Sequence, residues 1–388
     1  MVPDQATYLA RVADMAEVVR ADAADAEQSG ALGDKTVAAL KHSGLLRMLL
    51  PPDYGGASLS LGATFPVCEA LARVNGSAGW NLSIGLTTCG QALGLDDSAR
   101  KQVLGDPATI VAGTINFLAV KARRVDGGYV FGGRATFLSG SAHANWLVIG
   151  GLLHDGDRPV ARPDGLPTIV RGLTPTASVE FVDVWHVSGM RATSSNDAPL
   201  GDLFIPDRMI CAMDHPGLAE GDAAAGLPLV SRFGAGLAFV GLGTARGALD
   251  GLIEVAADKV PLGGQQPLRE RSDTQIDAAR ARGLIEAGRS FVCDTWRQAE
   301  DLARAGEAIG VEEQMMLRLS YVTAAEHAAQ AADLVFRAGG SASLFEANGI
   351  ERAWRDTHAV TKHITVSARM YDRLGRIVLG LPPAAGMI

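Results

Sequence analysis

The sequence predicts an α+β protein in three consecutive parts: an N-terminal α-helical domain, a middle antiparallel β-domain and a C-terminal four-helix bundle. Three observations carry this reading. Apolar residues recur at helical spacing through roughly the first hundred positions. Short β-type runs separated by turn residues fill the stretch from about Thr114 to Ile210. Four long helical segments follow Pro228. The expected boundaries are 1–112, 113–218 and 219–388. A chain of 388 residues exceeds one ordinary core, which agrees with a division into two or three domains.

In the first part, Leu9, Val12, Met15 and Val19 fall on one helical face, and Asp34 is placed to cap a helix that stops at Gly44. PPDYGG (Pro51 to Gly56) reads as a turn, because proline fixes one dihedral and glycine allows positive φ. A second helical stretch carries Val67, Leu71 and Val74 and leads into GSAGWNLS.

In the middle part, Asp126-Gly127-Gly128 between VKARRV and YVFGG predicts a hairpin. WLVIGGLL, TIVRGL, VEFVDVW and GDLFIP continue the strand pattern. The bundle helices are expected at Leu229 to Val260, Arg271 to Ala305, Val311 to Arg337 and Ile350 to Leu379. They are interrupted by PLGGQQPL and RAGGSAS. The small residues of GAGLAFVGLGTARGALDG permit close helix contact, within the subunit or between subunits.

Charge and cysteine usage exclude several classes. A net charge of −8 and a pI near 5.5 lack the basic footprint of a nucleic-acid binder. Cys68, Cys89, Cys211 and Cys293 are scattered without CxxC spacing, so neither a metal cluster nor a disulfide framework is expected. The N-terminus carries acids early and lacks a basic segment before an apolar run. The longest apolar stretch, Phe233 to Ala245, is too short to span a bilayer. A cytoplasmic protein is expected.

Several motifs carry a resemblance. PPDYGG, FLSGSAHANW (Phe137 to Trp146), WHVSGMRATSSND (Trp185 to Asp197) and GLGTARGALDG (Gly241 to Gly251) occur in that order. GGSASL (Gly339 to Leu344) then precedes RDTHAVTKHITVS (Arg355 to Ser367). Together, across essentially the whole chain, they resemble the acyl-CoA dehydrogenase fold superfamily. In the dehydrogenases a Glu shortly beyond the Arg-Asp pair abstracts the substrate proton. Here that position is Ile364, and no Asp or Glu lies between Asp356 and Asp372. The other known location for the base, early in the first bundle helix, is empty too: no acid lies between Asp222 and Asp250.

The chain therefore resembles the two-component flavin-dependent monooxygenases of this fold. That resemblance implies reduced FMN or FAD as cofactor, molecular oxygen as co-substrate, and a flavin hydroperoxide that hydroxylates a small aromatic or heterocyclic substrate. A separate NAD(P)H-dependent flavin reductase is implied as partner, since no GxGxxG follows a strand to hold a nicotinamide. A homotetramer is implied as well, with neither nucleic acid nor membrane as partner.

The resemblance assigns catalytic roles to His363 and Ser139. Imidazole ordinarily titrates near neutrality and can exchange a proton with a phenol or a flavin peroxide. A hydroxyl beside flavin N5 can both donate and accept. Thr114, Asn116, Ser139, Trp185, Thr193, Ser195, Gly339 and Gly340 are the implied cofactor contacts, although Trp185 also reads as a barrel core residue and the two glycines as a helix C-cap. Trp80 and His143 are expected to shape the substrate pocket, together with the C-terminal LGLPPAAGMI. His358, five residues before His363, reads as structural. DKVPLGGQQPL stands where dehydrogenases carry an Arg-x-x-Phe-Gly grip on FAD, which makes FMN as suitable as FAD. The alternatives are an acyl-CoA dehydrogenase with a displaced base and a scaffold homologue without flavin.

Overall fold

The structure, a computed structural model, describes residues 2–162 and 165–383. Its first part holds α1 (Gln5–Ala21), α2 (Ala23–Ser29), α3 (Asp34–Ser43), α4 (Leu61–Val74), α5 (Gly76–Gly90) and α6 (Asp97–Leu104). Tyr8, Val12, Met15 and Val19 are the buried face of α1. Asp34 is the first helical residue of α3 and not its cap. That task falls to Asp22, whose Oδ2 accepts the Thr36 backbone N–H at 3.2 Å. Gly44 ends α3 at a φ of 69°, a conformation that glycine adopts without cost.

The sheet comprises β1 (Val111–Gly113), β2 (Val120–Val125), β3 (Gly128–Leu138), β4 (Trp146–Asp155), β5 (Arg158–Pro159), β6 (Ile169–Pro175), β7 (Asn196–Pro199) and β8 (Leu203–Pro206). Strands β2 and β3 form the expected hairpin, with Val125 opposite Gly128. The sheet is not purely antiparallel. Strand β4 runs parallel to both β1 and β2 and antiparallel to β6. Parallel neighbours need a crossover connection instead of a tight turn, and turn chemistry, the sequence signal for pairing, does not report them. VEFVDVW, read as a strand, makes only an isolated bridge from Val182 to Asp197.

The last part is built from α7 (Leu229–Asp258), α8 (Ser272–Arg304), α9 (Val311–Gly339), α10 (Ile350–Val360) and α11 (Met370–Val378). The fourth bundle helix is therefore two helices, broken across residues 361–369. The small residues of α7 serve contact within the chain: a Cβ on Gly243 would lie 2.2 Å from the Glu69 carbonyl oxygen of α4. One apolar core joins α1, α4 and α5 to α7, α8 and α9, and a second lies between the sheet and the α5–α6 region.

Candidate active site

A bulge at the end of β3 aims the central residues. Pairing of β3 with β7 slips between Ala135 and Leu138, and Phe137 takes a φ of 58°. Asp197 holds the bulge: its Oδ1 accepts the Phe137 N–H at 3.1 Å while Oδ2 accepts from Arg134 Nε at 2.8 Å. The kink leaves the Phe137 ring 56% exposed, edge-on to half-buried Trp185 at 6.1 Å, and turns Ser139 inward. Trp185 is thus not a core residue. It flanks an open apolar edge and anchors itself by donating Nε1–H to the Met190 carbonyl at 2.9 Å.

Ser139 sits in a hydrogen-bonded chain whose direction can be worked out. Thr193 donates its hydroxyl proton to the Met190 carbonyl, 2.9 Å away. Its oxygen must then accept from Ser195, at 2.7 Å. With that proton committed, Ser195 accepts from Ser139, at 2.8 Å. Ser139 in turn accepts the Trp80 indole N–H at 3.1 Å. Its proton is therefore held inward, and one lone pair stays open. The backbone that frames this chain is strained. Of the four described non-glycine residues with positive φ, Phe137, Met190 and Ser194 all lie here.

Trp80 joins this chain to His363, whose ring meets the indole edge-on at 5.6 Å. His363 lies in the break between α10 and α11 and not on a helix. Its Nδ1 accepts the Thr365 backbone N–H at 3.3 Å and pairs with the Thr365 hydroxyl at 2.8 Å. The Nε2–H tautomer follows, with Nε2 free of any protein partner among the described residues. His363 is half-buried, and the surrounding protein desolvates its ring enough to push its pKa down to about 4. This corrects the near-neutral titration expected from the residue type: burial favours the uncharged ring. Next to it Ile364, at the position of the dehydrogenase base, points outward at 68% exposure.

The other expected residues divide. The Gly113–Ser139 bridge brings Thr114 and Asn116 beside the cluster, and Asn116 Nδ2 donates to Thr136 Oγ1 at 2.8 Å. His143 lies just beyond Ser139. Gly339 and Gly340 are elsewhere. Gly339 packs against Ser343 and Ile350, and at Gly340, which caps α9, an added Cβ would meet nothing within 4 Å among the described residues. His358 pairs with Asp333 at 2.9 Å on the outer side of the bundle. Of LGLPPAAGMI, residues 384–388 lie outside the described residues. Thr365 escaped the sequence reading, although a Thr two positions after a candidate His is a visible signal for a fixed tautomer.

Residues 3–102 match the family model for the acyl-CoA dehydrogenase N-terminal domain, and residues 235–368 match that for the acyl-CoA dehydrogenase C-terminal domain. The chain belongs to the acyl-CoA dehydrogenase family. Within that family it is 29% identical to indole-3-acetate monooxygenase from Pseudomonas putida, over 90% of this chain and 88% of that protein. It is 26% identical to the oxygenase component of an FADH(2)-dependent resorcinol hydroxylase from Rhizobium sp., over 96% of this chain and 94% of the relative. Among solved structures it resembles the HsaA monooxygenase of M. tuberculosis, with a TM-score of 0.86 and 28% identity over the full length of both chains.

The acyl-CoA dehydrogenase fold is present here, and among the described residues no carboxylate joins the Ser139–Trp80–His363 cluster. The buried acids among the described residues are committed elsewhere: Asp277 to Arg337, Glu300 to Trp296, and Asp356 to the Met190 backbone.

Proposed function

We propose that this protein is the oxygenase component of a two-component, reduced-flavin-dependent monooxygenase that hydroxylates a small aromatic substrate. The observation that carries the reading is the cluster itself. It consists of an oriented serine, an indole and an uncharged histidine, and Ile364 stands at the position of the dehydrogenase base. Reduced flavin, when bound, supplies the electrons that activate oxygen. The net reaction takes substrate, oxygen and reduced flavin to hydroxylated product, water and oxidised flavin.

The residues present fit reduced flavin. Its ring N5 carries a proton that needs an acceptor, and Ser139 keeps one lone pair open. The exposed Phe137 ring and Trp185 offer an apolar flank. Thr114, Asn116, Thr193 and Ser195 supply further polar contacts. Ser139 would retain the N5 proton, His363 would donate from Nε2 to oxygen or to a substrate hydroxyl, and Trp80 would hold both in register.

Three finer assignments belong to this reading. The assembly is a homotetramer, in which open Gly340 and exposed Leu344 and Phe345 meet another subunit and complete the flavin site. FMN and FAD both serve. The protein works in the cytoplasm beside an NAD(P)H-dependent flavin reductase.

The decisive experiment supplies reduced FMN or FAD to the protein without oxygen, then adds ¹⁸O₂ and a panel of phenols and indoles. Substrate-dependent incorporation of one labelled atom is the expected result. Absence of incorporation with either flavin, together with reduction of a tightly held yellow FAD by an acyl-CoA, would instead establish a dehydrogenase.

A further inference from the structure

A cavity of about 20 Å³ lies next to Ser139, with Leu32, Val37, Leu40 and Ile110 among its apolar walls. Besides Ser139, two polar side chains line it, Asn81 from α5 and His143 from the turn after β3. Asn81 Oδ1 and His143 Nε2 are both buried and both without a hydrogen-bond partner. The amide orientation is set, because Nδ2 donates to the Ala192 carbonyl at 3.4 Å. Oδ1 is left as a bare acceptor. The His143 imidazole makes no hydrogen bond to any described residue, and burial holds its pKa below the usual imidazole value. Buried polar atoms left unpaired are costly, and two around one void mark a place for a ligand group.

We propose that Asn81 and His143 form a subsite that reads one neutral donor group of the substrate, a phenolic hydroxyl or a ring N–H. This rests on the monooxygenase reading and specifies its substrate class.

The chemistry of the walls selects the group. The volume holds about one water-sized group, so the polar tip of a ligand enters and its ring does not. The group must donate a hydrogen bond to Asn81 Oδ1. A hydroxyl can also engage His143 Nε2 as donor or acceptor, by the tautomer present. A carboxylate is rejected: it would face the Asn81 oxygen, and no cationic side chain lines the cavity. An aryl methyl ether or a methylarene has no proton to donate and leaves the Asn81 acceptor unpaired. A resting water would occupy the space before substrate arrives.

The test measures equilibrium binding of phenol, anisole and toluene, and of indole and N-methylindole, to the full chain loaded with reduced flavin under nitrogen. Calorimetry reads the affinities, so turnover is not required. Phenol and indole should bind about 10- to 100-fold tighter than their methylated counterparts. In Asn81→Leu both ratios should fall to within about 3-fold, and in His143→Leu the phenol-to-anisole ratio should fall. Equal binding of each pair by the native chain overturns the subsite, as does a preference that persists in both variants. If neither variant folds, the native ratios alone decide. The ¹⁸O experiment reports independently on the monooxygenase reading, so the two failures are distinguishable. Loss of labelling with the binding preference intact would sink only that reading.

Discussion

The carboxylate of Asp356 accepts the backbone N–H of Met190 at 2.5 Å, which ties α10 to the strained loop that positions Trp185, Thr193 and Ser195. Arg355 adds a second tie, donating to the Ser188 carbonyl at 2.7 Å while it pairs with Glu27 and Glu351. The Arg-Asp pair that marks this helix in sequence thus acts on the site through the Met190 loop and not by touching reactants.

Asp356 is fully enclosed, and burial pushes its carboxyl up to about 7. The negative Glu27 adds to this, and the Met190 N–H and Arg355 oppose it. A folded-state pKa above the unfolded one means that the folded protein binds the proton more tightly. The stabilisation is complete below about pH 4 and is lost as pH rises through 7. Asp356→Asn keeps an acceptor oxygen and removes the titration. Thermal unfolding at pH 5 and pH 8 should show the native midpoint falling relative to the variant by about 2 °C or more. Parallel pH dependence in the two proteins would refute the buried charge.

His363 gives the opposite sign. Its folded pKa of about 4 lies below the usual imidazole value. The stability linked to it is complete above about pH 6.5 and is lost as pH falls toward 4. Nitrogen NMR of the labelled protein should report a neutral ring with the proton on Nε2 from pH 8 down to about 5.5. His363→Ala should lower product formation about 10²-fold. His363→Gln, which can still donate, should recover part of that loss. No recovery, or a charged ring at pH 6.5, would return the role to proton transfer by imidazolium.

Much of the fold was legible because its signals are local. The Asp126-Gly127 turn set the β2–β3 hairpin, and the glycines of α7 announced a close helix contact. The parallel β1–β4 and β2–β4 pairings left no such mark, since they join residues far apart in the chain. The break after Val360 hid behind an apolar pattern that continues to Leu379. Its cause was nonetheless written in Thr361, Thr365 and Ser367, whose side chains compete for local hydrogen bonds. Thr361 Oγ1 donates to the His358 carbonyl and Ser367 Oγ accepts from the Arg369 N–H. Ser139 and His363 could be named from motifs, but the cavity between Asn81 and His143 depends on packing between segments distant in the chain and could not be.

The α7–α4 contact predicts opposite effects for two glycines. A Cβ at Gly247 would stand 2.4 Å from the Arg73 carbonyl oxygen, about as close as one at Gly243 would stand to Glu69. Backbone oxygens cannot move aside without displacing a helix. Gly247→Ala should therefore destabilise, by about 1–3 kcal/mol. At Gly283 on α8, a Cβ would meet nothing within 4 Å. Gly283→Ala should stabilise by roughly 0.5–1 kcal/mol, because alanine is the better helix former. Denaturant midpoints of the two variants check the pair, and a loss of stability in both would contradict the packing described.

The Ser139 chain makes the sharpest prediction about chemistry. Loss of hydrogen peroxide from flavin that has reacted with oxygen requires departure of the N5 proton, so an acceptor that retains that proton favours transfer to substrate. Ser139→Ala should bind reduced flavin with nearly native affinity yet release hydrogen peroxide in place of product. Ser195→Ala tests the deduced direction of the chain. It removes the group that takes the Ser139 proton, so the Ser139 hydroxyl is free to turn that proton toward N5, where it opposes the N5–H instead of accepting it. Uncoupling in Ser195→Ala should therefore lie between native and Ser139→Ala, although Ser195 itself is one residue removed from the open lone pair. The measurement is the ratio of hydrogen peroxide to hydroxylated product at fixed oxygen uptake. Native coupling in Ser195→Ala with full uncoupling in Ser139→Ala would show that Ser139 acts without the chain behind it.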